Sequence, residues 1–318
     1  MSGSELRMEP YAHQHPRALR GSALVQAAGA EGFSWPEHIN LNGCGLTGWP
    51  ESLRQARGVQ ALSVYDNRLA DLPEWLWTFG DLHTLNLSGN GFTQVSPELG
   101  RLGRLQMLDL GHNSLAALPD MFAGLPELRF LYVSNNKLTA LPDSLRSLAR
   151  LTYLNVTDNT LSELPGWLGE LGHLTEFRAY NNALEYLPES MGHLSELREL
   201  HVMHNALTTL PQSLGGCGSL REIDAQSNKL RALPDTLGSL SRLTSLNLRF
   251  NDLSALPDTM RHLAELRFLD LRANRLTEVP EWLAQLPRLE KLDLRWNQLG
   301  RLPQSFGAFR ERGGQVYV

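Results

Sequence analysis

The sequence lacks the features that mark a membrane-spanning, secreted or nucleic-acid-binding protein. No apolar run approaches the ~20 residues that cross a bilayer, and no basic segment followed by an apolar one opens the chain. Acidic residues outnumber basic ones by 34 to 29, which gives a net charge of −5. A general nucleic-acid or anionic-membrane binder would carry a basic patch. We therefore expect neither a nucleic-acid partner nor a membrane partner.

Constellations for catalysis are also missing. Neither G-x-x-x-x-G-K-[ST] nor G-x-G-x-x-G follows a predicted strand. There are only two cysteines, Cys44 and Cys217, and they lack metal-ligand spacing. So few cysteines favour a reducing, cytosolic setting, or the cytoplasm of a host cell if the protein is exported. The sequence thus predicts no enzyme, no cofactor and no metal site.

A repeated pattern, L-x-L-x-x-N-x-L, organises the rest of the chain, as in Leu131–Leu138. Its copies follow one another at intervals of 23 residues, and Cys44 takes the place of the asparagine in the first of the twelve. The asparagines are Asn67, Asn90, Asn113, Asn136, Asn159, Asn182, Asn205, Asn228, Asn251, Asn274 and Asn297. A fixed period of 20–29 residues with this pattern is the signature of a leucine-rich repeat.

Each repeat predicts a strand, a turn and a return segment. Apolar residues five and three positions before the asparagine alternate with variable ones, which is typical of a strand with one buried face. The asparagine amide is suited to backbone groups that lose water at the turn. Eleven copies then carry a proline, followed by apolar residues at 3₁₀ or short α spacing. The predicted fold is an α/β solenoid, a leucine-rich repeat horseshoe with a parallel sheet on the concave face and 3₁₀ or short α turns on the convex face.

Three regions follow from this pattern. Residues 1–37 form an N-terminal tail and helical cap, with a helix over 16–30 whose Leu19, Ala23, Leu24 and Ala27 lie toward one side; a flexible tail is the alternative. Residues 38–303 hold the twelve repeats. Residues 304–318 form a C-terminal cap, in which Phe306 and Phe309 keep the convex positions and Val316 and Val318 fall in strand register as an edge strand.

The pattern L-x-x-L-x-L-x-x-N-x-L-x-x-L-P-x-x-L, seen in Leu128–Leu145, resembles the intracellular leucine-rich repeats of Ras-suppressor and Scribble type. It is equally similar to leucine-rich repeat proteins and secreted effectors of bacteria. The likeness covers about residues 38 to 310. It implies recognition of a protein on the concave face, and nothing in the chain matches the ubiquitin-ligase domain that some such effectors carry.

The positions six, four and two before each asparagine are predicted to face outward on the concave side, with the position just before it at the rim. Tyrosine, tryptophan, arginine and methionine are enriched at protein interfaces. The candidate partner-binding residues in these columns are Phe130, Tyr132, Tyr153, Arg178, Tyr180, His201, Met203, His204, Arg249, Phe250, Phe268, Arg272, Arg295 and Trp296.

Two structural alternatives stay open for these columns. Asp270 and Asp293 alternate with the late arginines, and the alternative to a binding role is that these charges only pair with each other across the sheet. His201 and His204 lie close together, but no third metal ligand is evident beside them, and His112 is four repeats from His204.

The sign of the charge in the displayed columns changes along the array. Carboxylates dominate repeats seven to nine, and arginine with lysine dominates repeats ten to twelve. A partner with a basic segment followed by an acidic one would match this order. The leading hypothesis is a monomeric, non-enzymatic protein-interaction module. A bacterial effector acting on a host protein, or its targeting domain, and a designed consensus scaffold are the alternatives.

Overall fold

The computed structural model describes residues 21–28, 30 and 33–318. Within them, thirteen three-residue strands form one open parallel sheet in sequential order, β1 to β13. Their bounds are His38–Asn40, Ala61–Ser63, Thr84–Asn86, Met107–Asp109, Phe130–Tyr132, Tyr153–Asn155, Glu176–Arg178, Glu199–His201, Glu222–Asp224, Ser245–Asn247, Phe268–Asp270, Lys291–Asp293 and Gln315–Tyr317. The predicted solenoid is confirmed.

The register of the sheet follows the period of the sequence. Leu131 pairs with Leu154, and the same one-period offset relates the other neighbours from β1 to β12. In β5, Leu131 is fully buried while Phe130 and Tyr132 on either side of it remain partly exposed. Alternation of this kind places the leucines in the core and leaves the variable residues on the concave face.

The return segments form 3₁₀ helices, η1 to η11, as the spacing predicts. Their bounds are Glu51–Gln55, Glu74–Thr78, Pro97–Arg101, Phe122–Gly124, Asp143–Ser147, Gly166–Glu170, Glu189–His193, Gln212–Gly216, Asp235–Ser239, Asp258–His262 and Glu281–Gln285. Pro142 precedes η5 with φ −71°, and the leucines at 145 and 148 are fully buried beneath it. Proline suits this position because it fixes φ and needs no hydrogen-bond acceptor.

The asparagines form the predicted ladder. Asn159 donates to the carbonyls of Val133, Val156 and Thr157 at 3.0–3.1 Å and accepts the Leu138 N–H at 3.0 Å. Each asparagine of the ladder likewise bonds the backbone of the preceding repeat. The amides therefore tie each turn to its neighbour.

Cys44 occupies a ladder position, where other repeats have asparagine, and Cys217 occupies a buried apolar position on the convex side. The Cys44 thiol donates only to the Asn42 carbonyl, so it replaces one of the asparagine's several bonds. Cys217 is fully buried on the convex side, where its thiol donates to the Met191 carbonyl at 3.0 Å. Burial raises the pKa of Cys217 to about 11, so the thiol stays protonated and acts as a small core residue.

Two short α-helices lie at the ends of the described array. Helix α1, Ser22–Ala27, buries Leu24 in the core, whereas Ala23 is exposed. The prediction for Ala23 is wrong because adjacent helical residues point about 100° apart. Residues 1–20, with Leu19, lie outside the described residues.

Helix α2, Ser305–Glu311, buries the two phenylalanines predicted for the convex positions, Phe306 and Phe309. Strand β13 then pairs with β12, and Val316 takes the predicted register opposite Leu292. Val318 is 59% exposed beyond the strand's end, so only the first of the two valines packs on the core. The exact division of the chain into cap, array and cap stays a prediction.

Four glycines at one position of successive repeats allow the convex side to pack closely. A Cβ on Gly169, Gly192, Gly215 or Gly238 would lie 2.1 to 2.6 Å from a backbone carbonyl of the following repeat. Gly238→Ala should therefore lower the free energy of unfolding by about 1–3 kcal/mol through overpacking. Gly172→Ala is the matched control, since nothing lies within 4 Å of its Cβ. Urea denaturation compares the two, and equal effects would contradict the packing argument.

Candidate functional site

The concave face carries a central aromatic cluster made by Phe130, Tyr132 and Tyr153 on β5 and β6. The ring centroids of Tyr132 and Tyr153 are 4.8 Å apart, and those of Phe130 and Tyr153 are 6.5 Å apart. Phe130 is 40% exposed, and both tyrosines are half-buried. Because the leucines already complete the core, these rings form an apolar surface that the framework does not require.

Arg178 on β7 borders this cluster. Its guanidinium lies 6.0 Å from the Tyr153 ring centre, and its Nε donates to the buried Glu176 carboxylate at 2.6 Å. Burial raises the pKa of the Tyr153 phenol, against the opposing effect of Arg178. The phenol therefore stays neutral, while the arginine charge is held by Glu176. Tyr180 follows in the same repeat and is half-buried.

Carboxylates line the next two strands. Glu199 and Glu222 lie side by side in the register of β8 and β9. The Glu222 carboxylate has neither an ion pair nor a hydrogen bond with any described residue, and the residue is partly exposed. Burial raises the pKa of Asp224, although the Gln226 N–H and the Asn247 amide oppose the shift. This acidic area has a net attraction for a cation.

The histidines and methionine predicted for the site are placed around these carboxylates. His201 is buried, with Nε2 at 3.4 Å from Glu199, and faces Asp224 in the register. Met203 is half-buried, and His204 is exposed at the rim. The structure therefore places His201 with acids, and not in a pair with His204.

One group of side chains on these strands has ligand atoms close enough to suggest a metal. Atoms of Glu176, Glu199 and His201 all lie within 4.8 Å of one another. The guanidinium of Arg178, however, already occupies Glu176 at 2.6 Å. A fixed positive charge at that distance disfavours a cation, so this group acts better as an ion-pair network.

The late arginines pair with the aspartates, as the structural alternative anticipates. Arg272 reaches Asp270, at the end of the strand in its own repeat, at 2.5 Å and Asp293 on the next strand at 3.5 Å. Arg295 reaches Asp293 at 2.6 Å. Arg249 differs, because its Nε donates to the neutral Gln226 amide, and it has no ion pair with a carboxylate among the described residues.

The rim position before each ladder asparagine has a feature that sequence reasoning missed. Its backbone is in the left-handed region, with φ between 50° and 64° in all twelve repeats. The occupants are Gly43, Asp66, Gly89, His112, Asn135, Asp158, Asn181, His204, Ser227, Phe250, Ala273 and Trp296. Glycine, asparagine and aspartate are the residues that tolerate this conformation best, and their recurrence in the column was the available signal.

Only some of the C-terminal candidates come together. The rings of Phe250 and Trp296 are 6.2 Å apart although two repeats separate them. Phe268 is 43% exposed and packs against Arg267, at 5.8 Å. The aromatic candidates thus form two separate groups on the concave side, one at β5 and β6 and one at the C-terminal rim.

Surfaces outside the concave columns show fewer features that suggest a binding site. Two open hollows, of about 380 and 470 Å³, are lined by residues such as Trp75 and Arg312, which lie outside the concave columns. Among the described residues, no helix has the length and apolar character needed to cross a bilayer.

Comparison with known families agrees with this architecture. A leucine-rich repeat model matches residues 80–138 and 241–299, and a leucine-rich repeat region model matches residues 142–258. Together they span most of the array. The chain is a leucine-rich repeat protein, and this fold is typical of protein–protein interaction.

The curated proteins similar to this chain include plant receptor-like proteins. Receptor-like protein 18 of Arabidopsis thaliana is 43% identical over 56 residues, which are 17% of this chain and 7% of that protein. The chain spans a tenth or less of the length of such curated relatives.

Two solved structures illustrate the likeness in fold. A leucine-rich repeat protein of Leptospira interrogans has a TM-score of 0.66 and 27% identity, over 88% of this chain and 83% of that one. The Arabidopsis receptor kinase HAESA, in complex with the peptide hormone IDA and the co-receptor SERK1, has a TM-score of 0.68 and 26% identity, over 82% and 50%.

Proposed function

We propose that the chain binds an extended segment of a protein partner on its concave face, with the central aromatic cluster as the main contact. The observation that carries this proposal is the cluster itself, three adjacent rings on strands whose leucines already fill the core. Large rings give much contact area at little entropic cost, which is why they dominate interface energies.

The charges beside the cluster define what the segment carries. Glu222, whose carboxylate has no partner among the described residues, and the half-buried Asp224 lie on β9, three to four strands beyond the cluster on β5 and β6. At ~4.8 Å between strands, this separation is roughly 14–19 Å, which an extended chain covers in about four to six residues. The segment therefore carries an apolar or aromatic side chain and, about four to six residues away, a lysine or arginine.

The solved structures lend support to a peptide-like ligand. HAESA is described in complex with a peptide hormone, and its repeats share the fold of this chain. Binding without catalysis is also consistent with the chemistry of the site, where Arg178, Arg272 and Arg295 are each paired with a carboxylate. The proposal covers this chain alone, since its relatives are much longer proteins.

The proposal also covers the oligomeric state and the cellular compartment of the protein. We propose that the protein is a monomer. We also propose that it works in a reducing compartment, because Cys217 is a buried thiol and Cys44 lies seven repeats away, too far for a disulfide between them. The effector alternative predicts the same binding surface together with export from a bacterium. Its test is detection of the protein in a culture supernatant that depends on a secretion system.

Photo-cross-linking tests the proposed surface. Benzoylphenylalanine at Phe130, an exposed ring on the concave face, should capture one partner reproducibly from a lysate. The matched control is Tyr186, a ring of similar exposure in the loop after β7, outside the concave columns. We expect capture at the first position and not at the second. Capture of the same partner at Tyr186 alone would contradict the proposal.

A further inference from the structure

Two bulky residues occupy rim positions whose left-handed backbone conformation is unfavourable for large side chains. Phe250 and Trp296 have φ of 56° and 62°, and the position between them, Ala273, has φ 52°. Most side chains pay a steric penalty in this region because Cβ approaches a carbonyl oxygen, and bulky residues are rare there. Six of the nine remaining repeats place glycine, asparagine or aspartate at this point.

Burial in the core does not offset this steric cost for either ring. Phe250 is 47% and Trp296 65% exposed, and their main contacts are each other and adjacent arginines. Ala273 lies between them in the column, and their ring centres are 6.2 Å apart, so the two rings form one apolar surface. Strained residues kept at an exposed position indicate a function that outweighs their cost.

A positive charge without a direct ion pair among the described residues borders this surface, although the Asp224 carboxylate is near enough to interact with it electrostatically. The Arg249 guanidinium lies 5.9 Å from the Phe250 ring centre and bonds only to the neutral Gln226 amide. By contrast, Arg272 and Arg295 are each neutralised by an aspartate. Lys291, in the same part of the concave face, also has no ion pair among the described residues, since its ammonium rests on the Tyr317 ring. The site thus complements a carboxylate.

We propose that Phe250, Trp296 and Arg249 form a second anchoring site for the partner segment, and that it takes an apolar side chain next to an aspartate or glutamate. The inference rests on the proposed function and adds the direction in which the partner segment lies along the concave face. The partner's cationic residue lies over β8 and β9, and its acidic, apolar part lies over β10 to β12. Charge order of this kind fixes the direction in which the segment binds.

A peptide selection on the full chain tests this site. Random dodecapeptides displayed on phage are selected against the wild type, and their affinities are then measured as synthetic peptides. We expect the selected peptides to carry an acidic residue beside an apolar one. Phe250→Asn and Trp296→Asn should each weaken their binding at least tenfold, while the melting temperature falls no lower than that of the wild type.

Ala273→Asn is the matched control, because it lies in the same column and the same backbone conformation. It should leave the affinity within twofold. The carboxylate contact is checked by replacing the peptide's acid with its amide, which should weaken binding to the wild type but not to Arg249→Gln.

The outcomes separate the two proposals. Loss of affinity on Tyr153→Ala but not on Trp296→Asn overturns the second site and leaves the central one. Loss on Trp296→Asn alone supports the second site and removes the central cluster. Failure to select any peptide, or a fall of several degrees in the melting temperature of both rim variants, overturns the second site.

Discussion

Replacing Tyr132, Tyr153 and Tyr180 together with alanine should weaken partner binding at least a hundredfold. The rings of Tyr132 and Tyr153 lie 4.8 Å apart in the central aromatic cluster, and Tyr180 continues the displayed aromatic residues in the next repeat after Tyr153. Truncating a tyrosine at the centre of an interface commonly costs about 2 kcal/mol or more. Since every 1.4 kcal/mol is about tenfold in affinity, the three losses together exceed that threshold. Isothermal titration with the captured partner segment measures the change.

The control for this prediction is Tyr186→Ala. Tyr186 is also a surface tyrosine, but its hydroxyl bonds to Glu163 outside the concave columns. We expect it to leave the affinity unchanged. The triple variant should still unfold cooperatively, because its three rings lie outside the leucine core. Equal affinities of the triple variant and the wild type would remove the central cluster from the binding site.

Asn159→Ala should lower the free energy of unfolding by about 3–5 kcal/mol, because each buried polar group left without a partner costs about 1–3 kcal/mol. Asn159 is 8% exposed, and its loss affects three carbonyls and the Leu138 N–H in two adjacent repeats. Urea denaturation followed by circular dichroism measures the change. Because each repeat packs only on its neighbours, the transition should also broaden as the array weakens at its middle.

Asn247→Ala provides a matched comparison. Asn247 is a half-buried asparagine on the concave face, and its side chain bonds to Asp224 and the Arg249 N–H. It lies outside the ladder, so we expect a loss below about 1 kcal/mol. If the two variants lost similar stability, the ladder would have no special structural role.

The fold could be predicted from the sequence because the repeat constrains it many times over. Each apolar pair, such as Leu131 and Val133, determines which face of the strand is buried, and the constant period requires parallel neighbours in register. The same logic places Tyr132 beside Tyr153, since adjacent strands bring equivalent columns together. Only the ends, where the period stops, were predicted less well, as Ala23 and Val318 show.

The site was less accessible to sequence reasoning because side-chain partners depend on rotamers and backbone dihedrals. Column positions alone do not show that Arg272 is neutralised by two aspartates while Arg249 meets a neutral amide. The left-handed backbone at Phe250 and Trp296 was similarly hidden. The glycines and asparagines in that column carried the signal, but they look like ordinary turn residues until φ is known.

The central claim is that one extended partner segment crosses the concave strands from the aromatic cluster to the C-terminal repeats. Phe130 and Phe268 occupy the same column six repeats apart and are similarly exposed, at 40% and 43%. At ~4.8 Å per strand this separation is ~29 Å, which corresponds to about nine extended residues.

Benzoylphenylalanine at each of these two positions in turn, followed by mass spectrometry of the cross-linked partner peptides, tests that claim most directly. We predict cross-links to a single continuous segment of one partner, at points about nine residues apart, with the acidic residues nearer the Phe268 cross-link. Cross-links to distant parts of the partner's sequence, or to different proteins, would contradict the account.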